Sequence, residues 1–359
     1  MAQKIFFTPG PAQLYPTFEK HLGAAVREQL GSISHRSKQF RAIYQHTDEQ
    51  LRALLGVPAS HAILFTGSAT EVWERAIQNG AARETFHLVN GSFSKRFYEF
   101  ALELGRTAHK VDAPFGEGFD AARLDIPATT ELVCLTHNET SSGVSLPSSQ
   151  IHALKARYPD ALFVVDMVSS APYPALDYGL VDSAFFSVQK GFGLPAGLGV
   201  WIVNEKFLAR AEALKAAGGY IGTHHSLPGL WKNAKNFETP ATPNVLGIYL
   251  LGQVAEDMNR VGAEAIRRQT RDRAVQLYKA IGASGGLEVF VKTPDHRSAT
   301  VLVATARESA PALLEKWKGQ NLVVGSGYGN YKEKQIRIAN FPANTDEEVA
   351  QLLKAIGEV

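Results

Sequence analysis

The sequence predicts an α/β protein: a large domain on a mostly parallel sheet with helices on both faces, followed by a smaller α+β domain. Three observations carry this. Short apolar runs alternate with amphipathic stretches through the first two thirds of the 359 residues. The alternation ends near Pro243, where a long helical region begins. Beyond that region, short strands and helices are mixed. The length also suits two units of about 150 residues or slightly more.

An N-terminal arm, residues 1–14, comes first and is expected to pack beside the second domain. Helical periodicity then runs from Phe40 to Leu55 and stops at Gly56-Val57-Pro58, a glycine–proline terminator. AILF (62–65) reads as a strand followed by a helix from about Thr70, and FHLV (86–89) as a strand followed by a helix from about Ser94. LVCLT (132–136) precedes a helix at Gln150, and LFVVD (162–166) follows it. AFFSV (184–188) and VWIV (200–203) complete the set. Such βα alternation implies a sheet covered on both faces. Residues 244–282 read as one long helical region. After it come strands LEVFV (287–291), TVLVAT (300–305), LVVGS (322–326) and QIRIAN (335–340), with helices at about 309–318 and 345–356. The large domain is thus placed at 15–250 and the small one at 251–359, joined by the arm.

Composition excludes several classes. Apolar residues at 45% and charged residues at 20% are ordinary for a soluble globular chain. Lysine and arginine number 37 against 35 acidic residues, so no excess of positive charge points to nucleic acid or a membrane surface. The single cysteine, Cys134, sits in an apolar strand and cannot form an intramolecular disulfide. The opening residues lack a signal peptide's apolar stretch, and no run approaches the about 20 apolar residues of a membrane span. A cytoplasmic enzyme is expected.

The chemistry is read from three segments. In SVQKGFGLPAGLG (187–199) an apolar strand delivers Lys190 to a glycine-rich turn. A lysine by itself is usually a surface charge. At the carboxyl edge of a buried strand, where open α/β sheets bind ligands, a partly desolvated amine has a lowered pKa and can form an imine with an aldehyde. In LFVVDMVSS (162–170), Asp166 ends an apolar strand, where an unpaired carboxylate is expensive. A helix cap or a structural ion pair would account for it, and so would a cationic ligand such as a protonated pyridine nitrogen. Lys190 and Asp166 end successive strands and can face one pocket. In FTGSATEVWE (65–74), the backbone of Ser68 and Ala69 at a helix start suits a phosphate, although many ordinary helix caps look alike.

These segments, with FTPGPAQL, SISHRSKQF (32–40), HNETSSGV (137–144), ETPAT (238–242) and QIRIAN, resemble the class V aminotransferases over nearly the whole length, and within them the phosphoserine branch. The resemblance implies fold type I, with a seven-stranded sheet in the large domain, and pyridoxal 5'-phosphate as cofactor. It also implies the following roles. Lys190 is the Schiff-base lysine and proton shuttle. Asp166 holds the pyridine nitrogen, Thr140 the ring hydroxyl, and Phe93 stacks on the ring. Ser68, Ala69 and Gln189 contact the cofactor phosphate, while Thr239 reaches the phosphate of a neighbouring subunit in a homodimer with shared active sites. Arg337 clamps the substrate α-carboxylate. His35 and Arg36 bind a substrate phosphate from the partner subunit.

The implied reaction is transfer of an amino group between O-phospho-L-serine and 2-oxoglutarate. Two departures stand out. Thr70 occupies a position where many members carry arginine, and GSGYGNYKEKQIR lacks the histidine often found before the carboxylate arginine. Lys332 or Lys334 are candidates to replace that charge. The departures favour a serine– or alanine–glyoxylate aminotransferase, whereas His35 and Arg36 oppose it. A non-catalytic relative is a third reading, opposed by the joint presence of Lys190, Asp166, Thr140 and Arg337.

Overall fold

The computed structural model describes residues 3–359, so the first two residues of the expected arm lie outside it. Seven strands form the first sheet, in the order His61–Thr66, Gly199–Asn204, Ser183–Ser187, Leu162–Asp166, Leu132–Thr136, Glu84–Val89 and Thr107–Asp112. Gly199–Asn204 runs antiparallel to both neighbours; the other pairings are parallel. The unbroken apolar runs are explained by burial on both faces. Phe163 and Val165 enter one core while Leu162 and Val164 enter the other. Cys134 belongs to the second core and is fully buried.

Helices Ala69–Gly80 and Ser92–Glu103 follow the strands that end at Thr66 and Val89. Each begins one or two residues before its expected start. The edge strand Thr107–Asp112 escaped the sequence reading because TAHKVD is polar and half exposed. Helices Phe18–Arg27, Glu205–Ala216 and Leu227–Ala234 were also not anticipated. The 244–282 region is two helices, Val245–Val261 and Ala263–Ala283, rather than one. Gly262 separates them at φ 93°, a conformation outside the helical range.

A second sheet has five strands, in the order Ile5–Phe7, Leu322–Ser326, Gln335–Ala339, Val301–Ala306 and Leu287–Val289. Helices Ala263–Ala283, Ala310–Gly319 and Asp346–Gly357 enclose its own core, which contains Leu277, Leu302, Trp317, Ile336 and Leu352. Ile5–Phe7 lies parallel to Leu322–Ser326. The arm therefore starts in this sheet and then crosses to the edge of the first sheet, where Ala12 donates to the Gln189 carbonyl. At that edge the strand ends Thr66, Thr136, Asp166 and Ser187 lie side by side.

Candidate active site

Lys190 follows the strand Ser183–Ser187, and its Nζ donates to the Pro9 carbonyl at 2.6 Å. The arm can lie this close because residue 10 is glycine: a Cβ there would sit 2.2 Å from Nζ. Burial pushes the amine down to about 8; the Arg337 charge acts in the same direction and the Asp166 carboxylate opposes both.

Asp166, 4% exposed, ends its strand inside the protein. Its Oδ2 accepts from the Trp73 indole Nε1 and its Oδ1 from the Val168 N–H, both at 2.9 Å. Burial raises the carboxyl to about 7 against the pull of these two donors; Glu139 adds to the rise and Lys190 reduces it. No arginine or lysine hydrogen-bonds it among the described residues. A buried carboxylate so placed is a receptor for a cation. Trp73 was missed from sequence, and its only signal was a large aromatic one turn into the helix after FTGSAT.

These two groups share a cavity of about 150 Å³ with Ser68, Ala69, Phe93, Thr140 and Gln189. Seven of the sequence-derived residues thus meet at one place. Ser68 caps the helix Ala69–Gly80, its Oγ accepting from the Glu71 N–H at 3.2 Å. The Ala69 N–H donates to the Ser187 hydroxyl at 3.0 Å, which adds Ser187 to the site. The Thr140 hydroxyl donates to Ser169 Oγ at 2.7 Å, and the Asn138 amide donates to the same oxygen at 2.8 Å. Phe93 meets Tyr328 with ring centroids 5.2 Å apart. Tyr328 in turn lies beneath the Arg337 guanidinium at 5.3 Å. Arg337 donates through Nε to the Ser326 carbonyl at 2.7 Å and through Nη1 to the Thr140 carbonyl at 3.4 Å, which places it beside the cavity.

Three expected residues lie elsewhere. Arg36 is paired with Glu238 at 2.8 Å, and Arg41 pairs with the same carboxylate. Thr239, adjacent to Glu238, lines a separate cavity with Gly67 and His225, and His35 precedes Arg36 on the same turn. Within one chain, then, His35, Arg36 and Thr239 form a group apart from Lys190. Thr70 lines the Lys190 cavity together with Arg96, a cation that the sequence reading did not single out. Arg96 sits one helical turn after Phe93, 5.9 Å from the Trp73 ring centroid. Lys332 and Lys334 are exposed and do not line the cavity.

The set suits a small aromatic, cationic, phosphorylated group. An amine, a carboxylate lacking a cation, an aromatic ring and a capped helix start converge on one space. The buried Oε1 of Gln189 and Oδ1 of Asn138, both on cavity-lining side chains, have no protein partner. Such groups are expected to be satisfied by something bound.

Comparison with known proteins places this arrangement. The family model for aminotransferase class-V matches residues 12–352. The chain is 27% identical over 354 residues to a phosphoserine aminotransferase of Rhodococcus opacus, covering 98% of this chain and 93% of the relative. Among solved structures, it is similar to a phosphoserine aminotransferase from Cytophaga hutchinsonii, with a TM-score of 0.98, 48% identity and coverage of 100% and 99%. It is also similar to an aspartate aminotransferase from Thermus thermophilus, with a TM-score of 0.84, 25% identity and coverage of 99% and 98%.

Proposed function

The chain belongs to the class V aminotransferase family, and from that premise we propose that it transfers an amino group between O-phospho-L-serine and 2-oxoglutarate with pyridoxal 5'-phosphate as cofactor. The observation that carries this reading is the opening of Lys190 and Asp166 into one cavity, the amine lowered to about 8 and the carboxyl raised to about 7. When bound, the cofactor supplies an aldehyde carbon and a ring that accepts electrons from the substrate Cα.

The chain's own residues divide the remaining work. Lys190 would hold the cofactor through its amine and, once the substrate amine has displaced it, would be the free base, deprotonating near neutral pH, that moves the proton at the substrate Cα. Asp166 would keep the ring nitrogen protonated, and Trp73 and Val168 each hold one of its oxygens in place. Phe93 covers one ring face, and offset stacking contributes about 0.5–1.5 kcal/mol beyond burial. Thr140 holds the ring hydroxyl. Ser68, Ala69 and Gln189 hold the phosphate, helped by the helix N-terminus. Arg337 grips the α-carboxylate with a planar fork.

The partner subunit's Thr239 reaches the cofactor phosphate, and the partner subunit's His35 and Arg36 bind the substrate phosphate. We infer a cytoplasmic homodimer that works toward phosphoserine as a precursor of serine. The large unit would span residues 15–250, and the small one 251–359 with the arm. Among the described residues, no helix is long and apolar enough to cross a membrane.

Two assays test this. Glutamate and 3-phosphohydroxypyruvate should yield phosphoserine, and borohydride reduction should fix the cofactor on Lys190. If phosphoserine does not form while glyoxylate or pyruvate is aminated, the second reading, a serine– or alanine–glyoxylate aminotransferase, replaces the first. Thr70 at the cavity wall is the observation that favours that alternative.

A further inference from the structure

The helix Ser92–Glu103 begins without a cap of its own. Its N-cap residue is Gly91, which has no side chain to accept from the first turn. The first backbone N–H groups of a helix lack intrahelical partners and need them from elsewhere. Here they come from a segment nearly fifty residues further along. The Glu139 Oε2 accepts from the Ser94 N–H at 2.8 Å, the Phe93 N–H at 3.2 Å and the Ser94 hydroxyl at 2.8 Å. Its Oε1 accepts from the Ser141 N–H at 3.1 Å and the Ser141 hydroxyl at 2.6 Å. The Ser141 Oγ accepts from the Ser92 N–H at 2.9 Å, which completes the turn.

Glu139 is only 1% exposed, and no lysine, arginine or histidine lies within ion-pair distance of it among the described residues. Its charge is met by neutral donors and by the positive end of the helix. Gly91 leaves the space: a Cβ on it would lie 2.3 Å from Glu139 Cγ.

The neighbours of Glu139 hold other parts of the site. Asn138 and Thr140 both donate to Ser169, three residues beyond Asp166, and the Thr140 carbonyl faces Arg337. On the far side, the Phe93 ring stands over the cavity and touches Tyr328, which carries Arg337. Of these three residues, Glu139 is the one that hydrogen-bonds to the helix that bears Phe93.

We propose that Glu139 is a positioning residue, whose buried carboxylate ties the first turn of the helix Ser92–Glu103 to the 138–140 segment and so holds the Phe93 ring over the cofactor face. The proposal rests on the reading of Phe93 as the stacking residue. A carboxylate is required because all three backbone partners are donors. Gln at position 139 has one acceptor oxygen, so in either orientation its NH₂ faces a backbone N–H.

The test uses the full-length chain freed of cofactor and titrated with pyridoxal phosphate. The dissociation constant is read by absorbance and the fixed geometry of the bound ring by its induced circular dichroism. E139Q is expected to weaken binding about tenfold, the scale set by a buried donor left without an acceptor, and to reduce the dichroic band. F93A is expected to do the same. The double variant E139Q/F93A should be no worse than the weaker-binding single variant, because both remove one interaction. E139D, which keeps the charge but withdraws it from the helix, should fall between native and E139Q.

Should F93A bind the cofactor as well as the native chain, the stacking reading falls and this proposal falls with it. If F93A weakens binding but the two effects multiply, or if E139Q leaves affinity and dichroism unchanged, stacking stands and the role of Glu139 is overturned. Where E139Q fails to fold, E139D against F93A gives the same decision.

Discussion

Lys190 and Asp166 show how a few ångströms decide chemistry. The amine is held by one carbonyl and pressed on by a residue without a side chain. Gly10→Ala would put a methyl group 2.2 Å from Nζ, at φ 135°, where alanine is strained. Overpacking on this scale costs about 1–3 kcal/mol, so transamination should fall by about five- to 150-fold while the far-ultraviolet dichroism stays native. Asp166 gives a pH signature. Its carboxyl goes from 3.8 in the unfolded chain to about 7 when folded, so the cofactor-free fold holds a proton that the unfolded chain has lost. Stability should therefore fall as pH rises from about 4 to 7. Lys190 moves the other way: lowered from 10.5 to about 8, it penalises the fold below pH 8, and the penalty is relieved as pH rises toward 10.5. Asp166→Asn should flatten the acidic limb of a urea-midpoint-against-pH curve for the cofactor-free protein. A curve still sloping as in the native chain would assign the slope to another group. These two residues were legible because a charge at the end of an apolar strand is costly and rarely idle. Trp73, Ser187 and Glu139 lie inside the segments that carry the chemistry, yet their roles were not legible, since each acts through a partner 45 or more residues away.

Elements were readable in proportion to how uniformly they are buried. LVCLT and LFVVD feed both cores and show as unbroken apolar runs, whereas TAHKVD at the sheet edge offers no such contrast. Gly262 broke a helix that periodicity alone would have continued, because flanking residues on both sides keep an apolar face. Helix ends respond to local chemistry in a measurable way. Asp346–Gly357 opens with a capping box in which Thr345 and Glu348 satisfy one another's backbone N–H groups. Thr345→Ala should cost about 1 kcal/mol, read from the urea midpoint, without changing turnover. The helix packs into the core of the second sheet and none of its residues lines the Lys190 cavity, so a matching loss of activity would overturn this prediction.

At the scale of the molecule, Arg36 and Thr239 are gathered at Glu238 while Lys190 stands in a different cavity. In a dimer with shared sites, Lys190→Ala and Arg36→Ala chains should each fail with phosphorylated substrate. Mixed one to one and allowed to exchange subunits, they should regain about a quarter of native activity, since half of the dimers then carry one intact site. Recovery of nothing, with exchange shown by mass, would confine each site to one chain. The arm adds a constraint of time. Ile5 to Phe7 pair with Leu322 to Val324, so the arm's strand finds its neighbour only after residue 324 has been made. Until then, Pro9 is anchored from the first sheet alone, through Ala12 and Tyr15, whose N–H groups donate to the Gln189 and Gly193 carbonyls on either side of Lys190. The carbonyl that holds the reactive amine is therefore gripped from both sheets only late, once the two ends of the described chain have met.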